Sequence, residues 1–236
     1  MARLSETHRT YKYYDLVMAA FVTVLLCSNL IGAAKACEVH VFGYGYTFTA
    51  GVLFFPISYI FGDVLTEVYG YARARKVVWS GFGALLFAAF MIAVVLRFPP
   101  APGWSGQAAI ESVFGSTWRI VLASLVAYFS GEFCNSFVLA KMKILTQGRY
   151  LWTRTIGSTL VGEAVDSSVF TVVACAFGVF PWSIALSIIV ANYIFKVTIE
   201  VLFTPVTYWV VNWLKRAEQV DYFDRGTDFN PFRVEI

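Results

Sequence analysis

The sequence predicts an all-α integral membrane protein with six transmembrane helices, and three observations carry that expectation. Of its 236 residues, 58% are hydrophobic and only 14% charged, with a mean hydropathy of +0.67. That leaves too little polar surface to clothe a soluble globule of this size. The apolar residues gather in six runs, each near the roughly 20 residues a helix needs to cross hydrocarbon. Lysine and arginine concentrate in the connections on one side of those runs.

The first run, 15–36, follows Arg3, Arg9 and Lys12 and ends in Ala34-Lys35-Ala36, flanks that a cleavable signal would share. It also carries Ser28-Asn29 and is followed by five more spans, so a retained helix is expected. Gly32 and Ala36 would form a small-xxx-small packing pair at its end. The second run, 48–69, holds Pro56, which should disturb the helix by removing the N–H that would bond the carbonyl of Val52. The third, fourth and fifth runs are 77–97, 118–140 and 154–179. The sixth, 183–212, is longer than a bilayer requires, so it should tilt, extend beyond the membrane or bend at Pro205. The connections at 37–47 and 98–117 are rich in Gly, Pro and Trp and read as ordered loops or short interfacial pieces. The organisation is thus a single transmembrane domain over 1–216 and a cytoplasmic C-terminal tail over 217–236 that caps the surface.

Basic residues set the orientation. Arg3, Arg9, Lys12, Arg73, Arg75, Lys76, Lys141, Lys143, Arg149, Arg154, Lys215, Arg216, Arg225 and Arg233 fall on one side, against Lys35, Arg97 and Arg119 on the other and Lys196 within a span. Both termini are therefore expected in the cytoplasm, with the chain in the inner membrane. This bias also accounts for the net charge of +3 without a nucleic-acid partner. The four cysteines have no C-x-x-C spacing, and His8 and His40 stand apart, so neither a metal nor a cofactor is expected.

What separates this chain from a bundle of inert helices is acid inside the apolar runs. Asp63 and Glu67 are four residues apart, Glu132 and Asn135 three, Glu163 and Asp166 three, while Asn192, Lys196 and Glu200 step along one helical face. Ionisable groups in hydrocarbon cost from about 2.5 kcal/mol upward and mark solute or ion pathways. Counted at 1.5 Å per residue from Lys141 and Arg154, the residues Glu132, Glu163 and Asp166 lie about 13 to 18 Å deep, in one layer. Some of these groups could instead satisfy neighbours: Glu67 could snorkel to Arg73, and Lys196 could pair with Glu200. Six in-span acids face one in-span base, so several carboxyls should be protonated, bound to a cation or hydrogen-bonded to a donor-rich solute. Tyr59, Tyr128, Phe129, Phe133, Phe170 and Tyr193 fall near the layer and could stack on a flat ring.

Other motifs fail on context. Val41-Phe42-Gly43-Tyr44-Gly45 is similar to a potassium-channel filter but has no room for a pore helix before it. An intramembrane aspartyl protease, the alternative from a different class, needs two facing aspartates and a Gly-x-Gly-Asp motif, and Ile60 stands where the first glycine should be. No Gly-x-x-x-x-Gly-Lys occurs for ATP hydrolysis.

The block Ser58-Tyr59-Ile60-Phe61-Gly62-Asp63-Val64-Leu65-Thr66-Glu67-Val68-Tyr69-Gly70, with Ala72-Arg73 and Arg75-Lys76 after it, carries a family resemblance. With Gly131-Glu132-Phe133-Cys134-Asn135 and the stretch from Arg154-Thr155 through Gly162-Glu163 and Asp166 to Phe170, it resembles the bacterial queuosine precursor transporters of the vitamin-uptake-like family, over about residues 15–215. The resemblance implies a fold similar to the six-helix substrate-binding subunits of energy-coupling-factor transporters. It also implies uptake of 7-cyano-7-deazaguanine or 7-aminomethyl-7-deazaguanine, with another vitamin-like polar solute as the alternative. A guanine-like edge offers N1–H and an exocyclic amine to one carboxylate, while its carbonyl needs a donor such as Asn135, Asn192 or Lys196. The expected substrate site is Glu132, Asn135, Glu163, Asp166, Asn192 and Lys196, with Asp63 and Glu67 as ion-coupling candidates. The expected partners are the 7-deazapurine and the lipid bilayer; a coupling subunit or a homo-oligomer is compatible with the residues but not indicated by them.

Overall fold

The computed structural model describes residues 11–32, 36–41, 44–115 and 117–232. Arg3, His8, Arg9, Ala34, Lys35, Phe42, Gly43 and Arg233, used above, lie outside them. The architecture is helical: α1 (Tyr14–Cys27), α2 (Phe55–Tyr69), α3 (Tyr71–Arg97), the short α4 (Gln107–Phe114), α5 (Thr117–Leu145), α6 (Leu151–Ala176) and α7 (Ala185–Glu218). All but α4 correspond to the six expected spans. Among the described residues five stretches are long and apolar enough to cross a membrane: α1 with its extension to Ile31, α3, most of α5, α6, and α7 with its preceding turn. Large apolar side chains such as Phe87, Phe90, Leu186, Leu202 and Trp209 point outward, while buried carboxylates, amides and hydroxyls share the interior with an apolar core that includes Phe21, Leu25, Leu65 and Leu125. An apolar exterior around buried ionisable groups suits a hydrocarbon surround.

The sixth, α2, departs from expectation. It has 15 residues, about 22 Å of helix. Of the segment read as its first turns, Phe48 and Thr49 end strand β2 (Tyr44–Thr49), which pairs antiparallel with β1 (Ala36–Val41), and Ala50–Leu53 form a 3-10 turn. Ala36 therefore stands in a strand and not at the end of the first helix. Pro56 falls in the first turn of α2, where no helical partner for an N–H exists anyway, so it starts the helix rather than disturbing it. A short helix can sit in the bundle because it packs against α1, α3, α5 and α7 instead of lipid. Gly70 alone joins α2 to α3, at φ +87°, a conformation open to glycine; a Cβ there would also strike the ring of Tyr222. α7 is continuous through Pro205 and runs on to Glu218.

α5 and α6 make the closest pairing, through facing glycines. A Cβ on Gly162 would lie 2.7 Å from Asn135 Cβ and 3.1 Å from the carbonyl oxygen of Gly131, and one on Gly131 would lie 2.7 Å from Asp166 Cβ. Gly162→Ala should force the helices apart and lower stability by about 1 to 3 kcal/mol, read as a fall in melting temperature of the detergent-purified protein. An unchanged melting curve would show that the helices have slack there.

The chain after α7 folds back over the end of the bundle and supplies caps that two helices lack. Glu218 accepts hydrogen bonds from the backbone N–H groups of Lys12 (2.9 Å) and Tyr13 (2.7 Å) at the start of α1, and from Tyr69 Oη (3.0 Å). Asp224 accepts the N–H of Tyr71, the first residue of α3, on both oxygens at 3.1 Å. Neither helix has a side-chain cap of its own, and a carboxylate at a helix N-terminus also meets the positive end of its dipole. Arg75 donates to the carbonyls of Asp228 and Asn230, and Trp79 to that of Pro231.

Asp221 ties the tail to the helices through Lys143 Nζ (2.7 Å) and Lys215 Nζ (2.8 Å). Burial pushes its carboxyl up, but the hydrogen bonds and charge of the two lysines outweigh this and hold it below the usual aspartate range. A folded value below the unfolded one adds stability at neutral pH that is lost as pH falls through the folded value. Asp221→Asn should therefore melt below wild type at pH 7, with the gap narrowing below the ordinary aspartate value of about 3.9. A pH-independent gap would mean the contribution is not electrostatic.

Candidate functional site

Two polar clusters occupy the interior. The first surrounds Glu67, which is fully buried. Arg154 grips it with a fork, Nε to Oε2 and Nη2 to Oε1, both at 2.7 Å. Lys215 Nζ lies 2.5 Å from Oε1, and Lys143 donates to the Glu67 carbonyl at 2.6 Å with its Nζ 3.3 Å from Oε1. One carboxylate thus joins α2, α5, α6 and α7. Neither Arg73 nor a snorkelling geometry is involved. Lys143 and Arg154, which served as boundary markers in the charge pattern, are each 1% exposed.

The second cluster holds the other acids. Asn135 Nδ2 donates to Asp63 Oδ1 at 2.8 Å. Thr66 donates to Ser136 Oγ (3.1 Å), and Ser136 donates to Glu132 Oε1 (3.2 Å), so a hydroxyl relay starting on α2 orients the Glu132 carboxylate of α5. Gly62 makes the room, since a Cβ there would overlap that carboxylate. Lys196 pairs with Asp166 and lies 3.1 Å from Glu163 Oε2, joining α7 to α6. It does not take Glu200, which instead meets Thr159 Oγ1 at 2.6 Å. Asn192 is half-buried one turn from Lys196, towards the Ile184 end of α7. The six expected substrate residues and Asp63 thus come from four helices that pack together. Tyr59, Tyr128 and Glu200 lie within electrostatic range of these acids and were not among the expected site residues. Tyr59 and Tyr128 meet edge to face, with centroids 6.1 Å apart.

This layer is built but not completed. Glu132 Oε2, Asn135 Oδ1, Glu163 Oε1 and Glu200 Oε2 are buried and accept no hydrogen bond among the described residues. A buried acceptor left unmatched costs about 1 to 3 kcal/mol, and four in one place exceed what folding alone would retain. The Glu67 cluster, by contrast, is saturated.

A multi-pass helical bundle with an unfinished polar layer at its centre is the form of a membrane carrier for a small polar solute. The chain belongs to the family described as "Putative vitamin uptake transporter", whose model matches residues 49–210. It is a transporter and not an enzyme. Among relatives, it is 35% identical over 193 residues to the "Probable queuosine precursor transporter" of Bacillus subtilis (strain 168), covering 81% of each chain. It is 27% identical over 213 residues to the "Queuosine precursor transporter" of Escherichia coli (strain K12), covering 88% of this chain and 89% of that one. A third relative, from Haemophilus influenzae, is 24% identical over 200 residues, 84% of this chain and 80% of the other, and is named "Probable queuosine precursor transporter". No solved structure matches the chain.

Proposed function

We propose that this protein imports a queuosine precursor of the 7-deazaguanine type across the inner membrane, with both termini in the cytoplasm. The observation that carries the reading is the set of four open acceptors on α5, α6 and α7. A 7-deazaguanine presents N–H donors along one edge and a flat bicyclic ring, which answers an acceptor-rich layer flanked by Tyr59 and Tyr128. Glu132, held at one oxygen and open at the other, receives the N1–H and exocyclic amine. Asn135 and Glu163 complete the acceptor edge. Asp166 fixes Lys196, which with Asn192 supplies donors for the ring carbonyl. The names of the relatives support the substrate class.

Glu132→Gln keeps the shape but turns part of the acceptor into a donor, and should weaken binding by about 1 to 3 kcal/mol, roughly tenfold to a hundredfold. Calorimetry with the purified protein measures it; full affinity would remove Glu132 from the site. In cells, expression in a strain that can neither make nor import the precursor should restore queuosine in tRNA at low external precursor. Failure, with the protein verified in the membrane, would reject the substrate class, and tight binding of a riboflavin-like vitamin in its place would favour that solute.

For coupling, the second cluster holds five acids, Asp63, Glu132, Glu163, Asp166 and Glu200, against Lys196. The proposal is that one carboxyl exchanges a proton or sodium ion during transport. Asp63 suits this better than Glu67: its hydrogen bond comes from a neutral amide, whereas three cations hold Glu67. Accumulation in liposomes of the purified protein alone should follow an imposed proton or sodium gradient. Accumulation indifferent to both, or dependent on an added ATPase, would dispose of this mechanism.

A further inference from the structure

The open acceptors do more than ask for donors, because the layer around them is short of positive charge. The charge of Lys196 is shared between Asp166 and Glu163, and Asp63 is met by an amide. Glu132 and Glu200 remain, both buried, each with one oxygen near a hydroxyl and one oxygen bare. Glu132 has a task in the reading above. Glu200 has none.

The position of Glu200 is poorly served by the protein itself. Thr159 has one hydroxyl proton and two acceptors near it, the Thr155 carbonyl at 2.8 Å and Glu200 Oε1 at 2.6 Å, so it can satisfy only one of them. Glu200 also lies within electrostatic range of Asp63, Glu163 and Glu132, all acids. Tyr59 Oη, buried with no hydrogen-bond partner among the described residues, is set against Gly131 beside Asp166, so an open neutral group stands in the same layer as the open acids.

We propose that the substrate carries a protonated amine in addition to its purine donor edge, and that Glu200 on α7 receives that amine. The inference rests on the 7-deazaguanine reading and sharpens it. Of the two precursors, the aminomethyl form brings a cation with three N–H donors, while the cyano form ends in a nitrile nitrogen that can only accept. Set against Glu200 Oε2, a nitrile would oppose acceptor to acceptor. An ammonium there makes a charge-assisted hydrogen bond where water does not compete, and reduces the acid excess by one.

Calorimetry on the purified wild-type protein should compare 7-aminomethyl-7-deazaguanine, its 7-hydroxymethyl isostere and 7-cyano-7-deazaguanine. The amine should bind at least about tenfold more tightly than either neutral compound. Glu200→Gln should abolish that preference by weakening the amine about tenfold more than it weakens the cyano compound. Equal binding of all three by wild type, or tighter binding of the nitrile, overturns the proposal while leaving the 7-deazaguanine site standing; this arm needs no variant and so does not depend on the folding of Glu200→Gln. Binding of the amine that survives Glu200→Gln unchanged also overturns it. If wild type binds none of the three, the 7-deazaguanine reading fails and this inference with it.

Discussion

Replacing Glu67 with glutamine should destabilise the protein by about 3 to 5 kcal/mol, the scale expected when one member of a buried ion cluster is removed. Arg154, Lys143 and Lys215 would keep their positions around a neutral amide, with Asp221 the remaining counter-charge. Glutamine can accept at one oxygen but not offer the two-oxygen edge that the guanidinium fork requires. The measurement is the melting temperature in detergent beside Arg154→Gln and the double variant. Because the two residues form one unit, the double variant should lose clearly less than the sum of the singles. Additive losses would mean Arg154 and Glu67 act separately. The same experiment decides the role of Glu67. A variant that melts like wild type but loses gradient-driven uptake would restore it as a coupling group and remove it as the anchor of four helices.

That anchor shows where sequence reading reached its limit. Hydropathy located the six helices because a spanning helix is a local, composition-driven signal. It overextended the second one, since Phe48 to Leu53 is as apolar as a helix start although Tyr44–Thr49 pairs as a strand. Spacing within each helix put Glu132 with Asn135 and Glu163 with Asp166 on shared faces, and the depth count put them in one layer. What spacing does not contain is the partner across helices. Glu67 and Arg154 are 87 residues apart, and Glu67 and Lys215 are 148 apart. Lys143, Arg154 and Lys215 sit where the positive-inside pattern explains them fully, so nothing local marked Lys143 and Arg154 as buried or Lys215 as their neighbour on Glu67. Glu200 was visible as an in-span acid, but its neighbour Lys196, one turn away, offered an intrahelical pair that the bundle does not use. Glu218 and Asp224 fall in the segment expected as a tail, and their capping role was not legible because a cap donated from a distant segment leaves no mark in the sequence of the helix it caps.

Gly62→Ala should separate binding from folding more sharply than any carboxylate substitution. The added methyl carbon would stand 2.8 Å from Glu132 Cδ and 2.9 Å from Oε2, and would overlap Oε1 outright. What it strikes is the end of a flexible side chain, so the helices need not move and the cost in stability should stay within about 1 kcal/mol. The carboxylate itself has to swing away, which breaks the Ser136 contact and carries both oxygens off the place where the Thr66–Ser136 relay holds them. Glu132→Gln spoils half of the acceptor edge, whereas Gly62→Ala removes all of it and puts a methyl in its place. Affinity for 7-aminomethyl-7-deazaguanine should therefore fall by more than about a hundredfold, nearly 3 kcal/mol, with the melting temperature close to wild type. Calorimetry and thermal melts on one preparation read both quantities. Wild-type affinity in this variant would place the ligand away from Glu132, and an equally large fall in stability would show that Gly62 serves packing rather than the position of the carboxylate.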